Sequence, residues 1–340
     1  MKSSLRTVAL NVSGILLVGL ASACGEPPDE PQEMVDSGSW YSRNQWPHDG
    51  KPYESPHIVV YSDASSPEAK QALAEAAEEV LVETITELGV DPQTMFRFPP
   101  GQDKIHIYAN RNNQPDWGGG ARGYYGGLII WSLDHEAERR RTDLEFYKIV
   151  LKHELVHVVE LLLKGRDTAA LPGDSPQRVP TWFSEGMAEA LVGGTTGPVP
   201  RTLGDLNDLT DRFGQRSPVA FRVDTPPDET EPGLYQKYHY PMSQLAVEYL
   251  IDPDGLGKSP TDFTAILLDL ADGAAFATAF EDHMGISLSD YEEQFFDLMV
   301  DYLPPPEPDP FPVAWIIVGI VVVGAALVLW QVRRRRGRLR

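Results

Sequence analysis

Apolar positions along the chain change their period part-way. Short β-branched and aromatic runs bounded by turn residues, at His57-Ile58-Val59-Val60-Tyr61 and at Lys104-Ile105-His106-Ile107-Tyr108, predict two strands. Between them, residues 67–88 predict a helix opened by Pro67. After Gly118-Gly119-Gly120 a third extended stretch covers residues 124–131. From residue 144 the pattern turns helical: residues 144–163 carry apolar residues on every side, which predicts a buried helix. Thr142 with Glu145 reads as a capping box at its start, and Gly165 as its stop. Beyond Glu189 the chain is mainly helical, with breaks predicted at Asp252-Pro253-Asp254-Gly255 and Asp282-His283-Met284-Gly285. No repeat of solenoid period is present. Strands first and helices after give an α+β class, a small β-sheet half followed by a mainly helical half.

The two ends have a different pattern. Residues 1–23 combine Lys2 and Arg6, an apolar stretch too short to span a bilayer, and Ala21-Ser22-Ala23, which predicts a signal peptide. The single cysteine, Cys24, follows at once, and Ala21-Ser22-Ala23-Cys24 resembles the bacterial lipoprotein box that ends in a lipidated cysteine. Leu20 sits one place earlier than that box prefers, so ordinary cleavage after Ala23 stays open. Residues 313–332 are almost wholly apolar or small, flanked by Trp315 and Trp330, and the arginine-rich stretch 333–340 follows. This predicts one C-terminal transmembrane helix with a basic cytoplasmic tail. The expected placement is a bacterial cell membrane, with the intervening chain extracytoplasmic and the C-terminus cytoplasmic.

Composition divides what lies between. Residues 24–56 are acidic and Pro-rich, an expected tether; residues 57–303 form the expected folded unit; residues 304–312 are a Pro-rich spacer. The net charge is −21, and the balance between the basic ends is more acidic still, which argues against nucleic acid as a partner. With one cysteine, no internal disulfide can form.

Chemistry concentrates on the buried helix. His153-Glu154-Leu155-Val156-His157 puts two imidazoles one turn apart on one face with a carboxylate beside the first, the spacing of a zinc site with its base. Such a motif arises by chance in roughly one shuffled chain in a hundred of this length, so a second signal is needed. It comes in Pro180-Thr181-Trp182-Phe183-Ser184-Glu185-Gly186-Met187-Ala188-Glu189. Glu185 can supply a third ligand from a second helix, and Glu189, four residues on, shares its face and can hydrogen-bond a ligand imidazole. Three protein ligands leave a fourth position for water, the mark of a catalytic site.

These paired motifs resemble the gluzincin metallopeptidases, most closely the peptidase MA-like family, with thermolysin and aminopeptidase N as more distant relatives. The resemblance implies a zincin-like metallopeptidase fold, Zn2+ on His153, His157 and Glu185, and Glu154 as general base and acid. The metzincin pattern fails, because Glu160 and Leu163 stand where it needs Gly and His. In gluzincins an edge strand before the zinc helix pairs with extended substrate, and residues 124–131 are the positional match. A plain core strand is the equal alternative for that stretch. The segment Tyr235-Gln236-Lys237-Tyr238-His239-Tyr240-Pro241-Met242-Ser243 is expected to precede a helix ending near Tyr249-Leu250 and resembles the start of a family helix; in gluzincins a Tyr or His of the helical half donates to the tetrahedral oxyanion, which makes Tyr240 the first candidate donor and His239 the second. Packing of aromatic residues is the alternative there.

His48, His57, His106, His135 and His283 have no partner at ligand spacing and are expected to be ordinary residues. Glu160, one turn beyond Val156, could support the site from behind the ligands, but is expected as a helix-face carboxylate. The ligand set implies a zinc peptidase that hydrolyses peptide or protein substrates through a zinc-bound water, and the two ends of the chain make it an expected membrane-anchored, extracytoplasmic one. Aminopeptidase signatures are absent before the helix, so an endopeptidase is expected. Two alternatives use the same residues: a silent zincin scaffold acting as a tethered binding protein, and a zinc amidase acting on cell-wall material.

Overall fold

All the described strands lie before residue 132, with two helices between the second and third, and from residue 144 the described chain is helical, as the change of period requires. In a computed structural model the described residues are 51–62, 67–110, 120–131, 144–165, 171, 175–194, 197–218 and 234–306. The expected signal peptide, Cys24, the capping residue Thr142 and the expected membrane span at 313–332 lie outside them. Among the described residues no helix is long and apolar enough to cross a membrane.

The sheet contains β1 (Tyr53–Glu54), β2 (Ile58–Ser62), β3 (Ile105–Asn110), β4 (Gly120–Tyr124) and β5 (Gly127–Trp131), in spatial order β1-β2-β3-β5-β4. β2, β3 and β5 run parallel, and the outer strands run antiparallel to their neighbours. Tyr53 and Glu54, inside the stretch whose composition reads as tether, thus pair with β2. Alternate residues Ile58, Val60, Ile105, Ile107, Leu128 and Ile130 turn to one face and are at most 3% exposed. Helix α1 (Pro67–Glu87) supplies the opposing layer through Leu73, Ala77, Val80 and Leu81.

Of the two readings of residues 124–131, the core strand holds for most of the stretch: Gly127–Trp131 is β5, held between β3 and β4, while Tyr124 ends β4. The edge beside it is the glycine-rich β4, which has too few apolar residues for a period-2 signal.

After a short helix α2 (Pro92–Met95), the helical half contains α3 (Leu144–Lys164), α4 (Thr181–Val192), α5 (Leu203–Phe213), α6 (Leu234–Ile251), α7 (Pro260–Ala271), α8 (Phe276–Met284) and α9 (Leu288–Tyr302). Trp182, Phe183, Phe263, Phe276, Phe280, Tyr291 and Phe295 form its aromatic core. α3 lies at the centre of the fold, packed against α1, β4, α4 and α7. It stops where predicted, at Gly165 with φ 79°, a left-handed conformation that glycine adopts without strain.

Two helix boundaries differ from the sequence reading. Residues 235–243 do not precede a helix but lie inside α6, which continues through Pro241. An interior proline costs about 3 kcal/mol through its missing N–H and ring clash. Burial of Tyr238, His239, Tyr240, Met242 and Ser243 around it, each at most 1% exposed, offsets that cost. Asp282, His283 and Met284 form the last turn of α8, and the break falls at Gly285 alone, with φ 76°.

Candidate metal centre

α3 carries a polar stripe on an otherwise apolar cylinder. His153, His157, Glu160 and Lys164 follow one another by four, three and four residues, so they share one face. Across that face lies α4, which presents Glu185 and Glu189 by the same i,i+4 rule. α4 is also pinned from behind: a Cβ at Gly186 would lie 2.3 Å from the Ser243 carbonyl oxygen of α6, so only glycine allows this approach.

Where the helices face each other, three donor atoms make a nearly equilateral triangle. His153 Nε2 and His157 Nε2 are 3.2 Å apart, and Glu185 Oε2 lies 3.5 Å from the first and 3.3 Å from the second. Zinc bonds of about 2.0–2.1 Å place tetrahedral ligand atoms about 3.3–3.4 Å from one another, so the triangle fits one face of a zinc tetrahedron. Among the described residues this is the one cluster of His, Cys, Asp or Glu with metal-holding geometry.

The surroundings are charged and mostly buried. Glu189 is fully buried and its Oε1 stands 3.3 Å from His153 Nδ1, as the sequence spacing anticipates. Burial pulls the His157 imidazolium down, but the Glu185 carboxylate beside it, with Glu160 further off, outweighs it and lifts His157 to about 9. Burial raises the Glu185 carboxyl, but the two imidazoles outweigh it and hold it well below the usual carboxylate range. These values describe the metal-free centre.

Glu154 points elsewhere. Its side chain accepts the Gly123 N–H of β4 at 2.6 Å, and burial raises its carboxyl above the ordinary value against the pull of His153 and His157. The edge strand therefore touches the candidate base directly. A Cβ at Gly123 would meet the Glu154 carbonyl oxygen at 2.7 Å and the His157 Cβ at 3.1 Å.

α6 brings the candidate donors to the same place. The Tyr240 ring lies 6.4 Å from that of His153, and the His239 ring 6.2 Å from that of Tyr240. Burial pushes the His239 imidazole down to about 4, with Glu185 pulling only part of the way back, so it is neutral at ordinary pH. Its Nδ1 is 3.2 Å from Ser243 Oγ.

Glu160 follows the less favoured of its two readings. It is not a solvated helix-face carboxylate but 3% exposed, with Lys164 Nζ at 2.6 Å and Ser184 Oγ at 2.5 Å. Burial alone would raise its carboxyl, yet Lys164 and His157 bring it down to about 2. Its i+3 spacing from His157 was visible in the sequence, while its partner Ser184 stands on the other helix. Gly123 gave no signal beyond a glycine-rich stretch. Of the remaining histidines, His57 pairs with Glu78 and His283 with Asp269, both away from the centre.

No family model and no curated protein matches this sequence. Among solved structures the chain is similar to an M1 zinc metallopeptidase from Deinococcus radiodurans, at 14% identity and a TM-score of 0.35, with 77% of this chain and 53% of that one covered. A mutant of that enzyme gives 14% identity and a TM-score of 0.38 over 76% of this chain and 53% of that one. A two-domain M1 zinc metallopeptidase mutant bound to L-arginine gives 13% and 0.37 over 76% and 53%. The chain thus spans about half the length of these structures. Likeness at this level leaves the chemistry of the site to its own geometry.

Proposed function

We propose that the chain is a zinc-dependent metallopeptidase of gluzincin type, anchored to a bacterial membrane with its catalytic part outside the cytoplasm and acting as an endopeptidase. The observation that carries the catalytic reading is the triangle of His153 Nε2, His157 Nε2 and Glu185 Oε2 with Glu154 on the adjoining side of α3. Anchoring and topology rest on residues 1–24 and 313–340 as read from the sequence.

The donor set suits zinc: two imidazoles and one carboxylate, with a position left for water or substrate. When bound, zinc would polarise a substrate carbonyl and lower the pKa of a water towards about 7. The chain's own residues do the rest. Glu189 holds His153 by its Nδ1 side and so leaves Nε2 as the donor. Glu154, its carboxyl raised by burial, takes the proton of the attacking water and passes it to the leaving amine. The Gly123 N–H fixes the orientation of that carboxylate. Tyr240, or neutral His239 beside it, donates to the oxygen on which negative charge develops. An extended peptide adds to the edge of β4 and so passes Glu154.

The test is zinc content and peptide hydrolysis of the purified chain, with and without chelator, on peptides and on cell-wall fragments. Chelator-sensitive cleavage inside peptides supports the proposal. Activity confined to cell-wall amides would replace it by the amidase, and zinc without turnover by the tethered scaffold.

A further inference from the structure

The two imidazoles of the centre are oriented in different ways. His153 Nδ1 meets the Glu189 carboxylate directly at 3.3 Å. His157 Nδ1 has its nearest polar neighbour in Ser184 Oγ at 3.3 Å, while Glu160 Oε2 is 3.9 Å away, beyond direct hydrogen-bond reach. Ser184 Oγ is in turn 2.5 Å from Glu160 Oε2, and Glu160 Oε1 accepts Lys164 Nζ at 2.6 Å. His157, Ser184, Glu160 and Lys164 form one line running away from the metal position.

The polarity of that line follows from its far end. Lys164 against Glu160 keeps the carboxylate ionised, and an ionised carboxylate only accepts hydrogen bonds. The single hydroxyl proton of Ser184 is therefore given to Glu160, and Ser184 Oγ can only accept from His157. That assigns the proton of neutral His157 to Nδ1 and leaves the lone pair on Nε2, the atom in the donor triangle. A fold-only purpose explains the line poorly. Glu160 and Lys164 are 3% and 8% exposed, and a buried ion pair is weak evidence for stability because apolar residues of similar volume do as well or better.

We propose that Ser184 and Glu160 are positioning residues for the metal centre: Ser184 relays the Glu160 carboxylate to His157 Nδ1, fixing the imidazole's tautomer and strengthening it as a zinc donor. The proposal rests on the reading of His153, His157 and Glu185 as zinc ligands. It adds two residues that never touch the metal or the substrate. It also explains why the residue before Glu185 carries a hydroxyl: an apolar side chain there would leave His157 Nδ1 facing a carboxylate too distant to accept its proton.

The test uses the full-length chain. Zinc affinity is measured by competition with a chromophoric chelator, and the ligand geometry by the visible absorption of the Co2+-loaded protein. Four proteins are compared with the wild type: Ser184→Ala, Ser184→Thr, the paired replacement Glu160→Met with Lys164→Met, and that pair combined with Ser184→Ala. The paired replacement avoids stranding a buried charge. Ser184→Ala is expected to lose about 10- to 100-fold in zinc affinity, the usual size of such supporting contacts, with an altered Co2+ spectrum. Ser184→Thr keeps the hydroxyl and is expected to hold wild-type affinity. The paired replacement should lose a similar factor to Ser184→Ala, and the combination no more than either, because the groups act in series. Wild-type affinity in Ser184→Ala and in the paired replacement overturns the relay while leaving the zinc reading intact. Losses that multiply in the combination overturn the series arrangement. A wild-type chain that takes up no zinc overturns both readings.

Discussion

The backbone N–H of Gly123 donates to Glu154 Oε2 at 2.6 Å, so the edge of the sheet holds the carboxylate proposed to move the proton. The contact works only because residue 123 has no side chain. Sheet and helix halves, separate in sequence, meet through it at the centre of the chemistry.

Gly123→Ala should therefore act on both stability and turnover. A Cβ 2.7 Å from the Glu154 carbonyl oxygen pushes β4 away from α3, an overpacking that costs about 1–3 kcal/mol. Thermal denaturation should show the loss, and kcat should fall further than zinc affinity. Equal stability and kcat in the variant would show that β4 does not press on α3.

Gly186→Ala tests the other wall. The added methyl would lie 2.3 Å from the Ser243 backbone oxygen, so α4 must move off α6 and carry Glu185 with it. Expected outcomes are destabilisation of about 1–3 kcal/mol or more and weaker zinc binding. Urea denaturation and zinc titration check them. Unchanged zinc affinity would mean that Glu185 is not held by this crossing.

Much of this centre is legible in the sequence, and the reason is local. His153 with His157, and Glu185 with Glu189, are each fixed by the i,i+4 rule of one helix, so their faces follow from numbering alone. What was not legible depends on how separate elements meet. The edge position of β4 is a matter of pairing order, which periodicity does not encode. Glu160 reads as solvated until α4 is laid across it and Ser184 supplies its partner. Residues 235–243 read as lying before a helix, since an interior proline is locally unfavourable, and only burial around Pro241 makes its place inside α6 tolerable.

The pH dependence of the zinc-free chain follows from His157. In the folded, metal-free state its imidazole is raised from 6.5 to about 9. A raised folded value contributes stability that is fully present below the unfolded pKa and disappears as pH rises through the folded one. Chelator-treated protein should accordingly lose thermal stability between about pH 6.5 and 9. Glu160, lowered from 4.5 to about 2, acts in the opposite window: its contribution is complete above about 4.5 and vanishes as pH falls through about 2. Zinc needs neutral His157, so the increase in melting temperature on adding zinc should grow across the alkaline window. A zinc-free melting temperature that is flat or rising from pH 6.5 to 9 would contradict the charge assignment.

Glu189→Gln separates support from ligation. Glu189 stands behind His153 and outside the donor triangle, so zinc should still bind, about 10- to 100-fold more weakly. Glu185→Ala removes a donor atom and should cost more. Chelator competition on both variants decides the order, and an equal or reversed order would exchange the two roles.

The most direct measurement concerns Glu154, proposed to transfer the proton without binding metal. Glu154→Gln is nearly isosteric, so it should retain about one Zn2+ per chain and a native-like melting temperature. Its kcat on a peptide cleaved by the wild type should fall at least about 100-fold, with KM little changed. A Glu154→Gln chain that holds zinc and cleaves at the wild-type rate would contradict the account, because the carboxylate fixed by Gly123 would then play no part in the reaction.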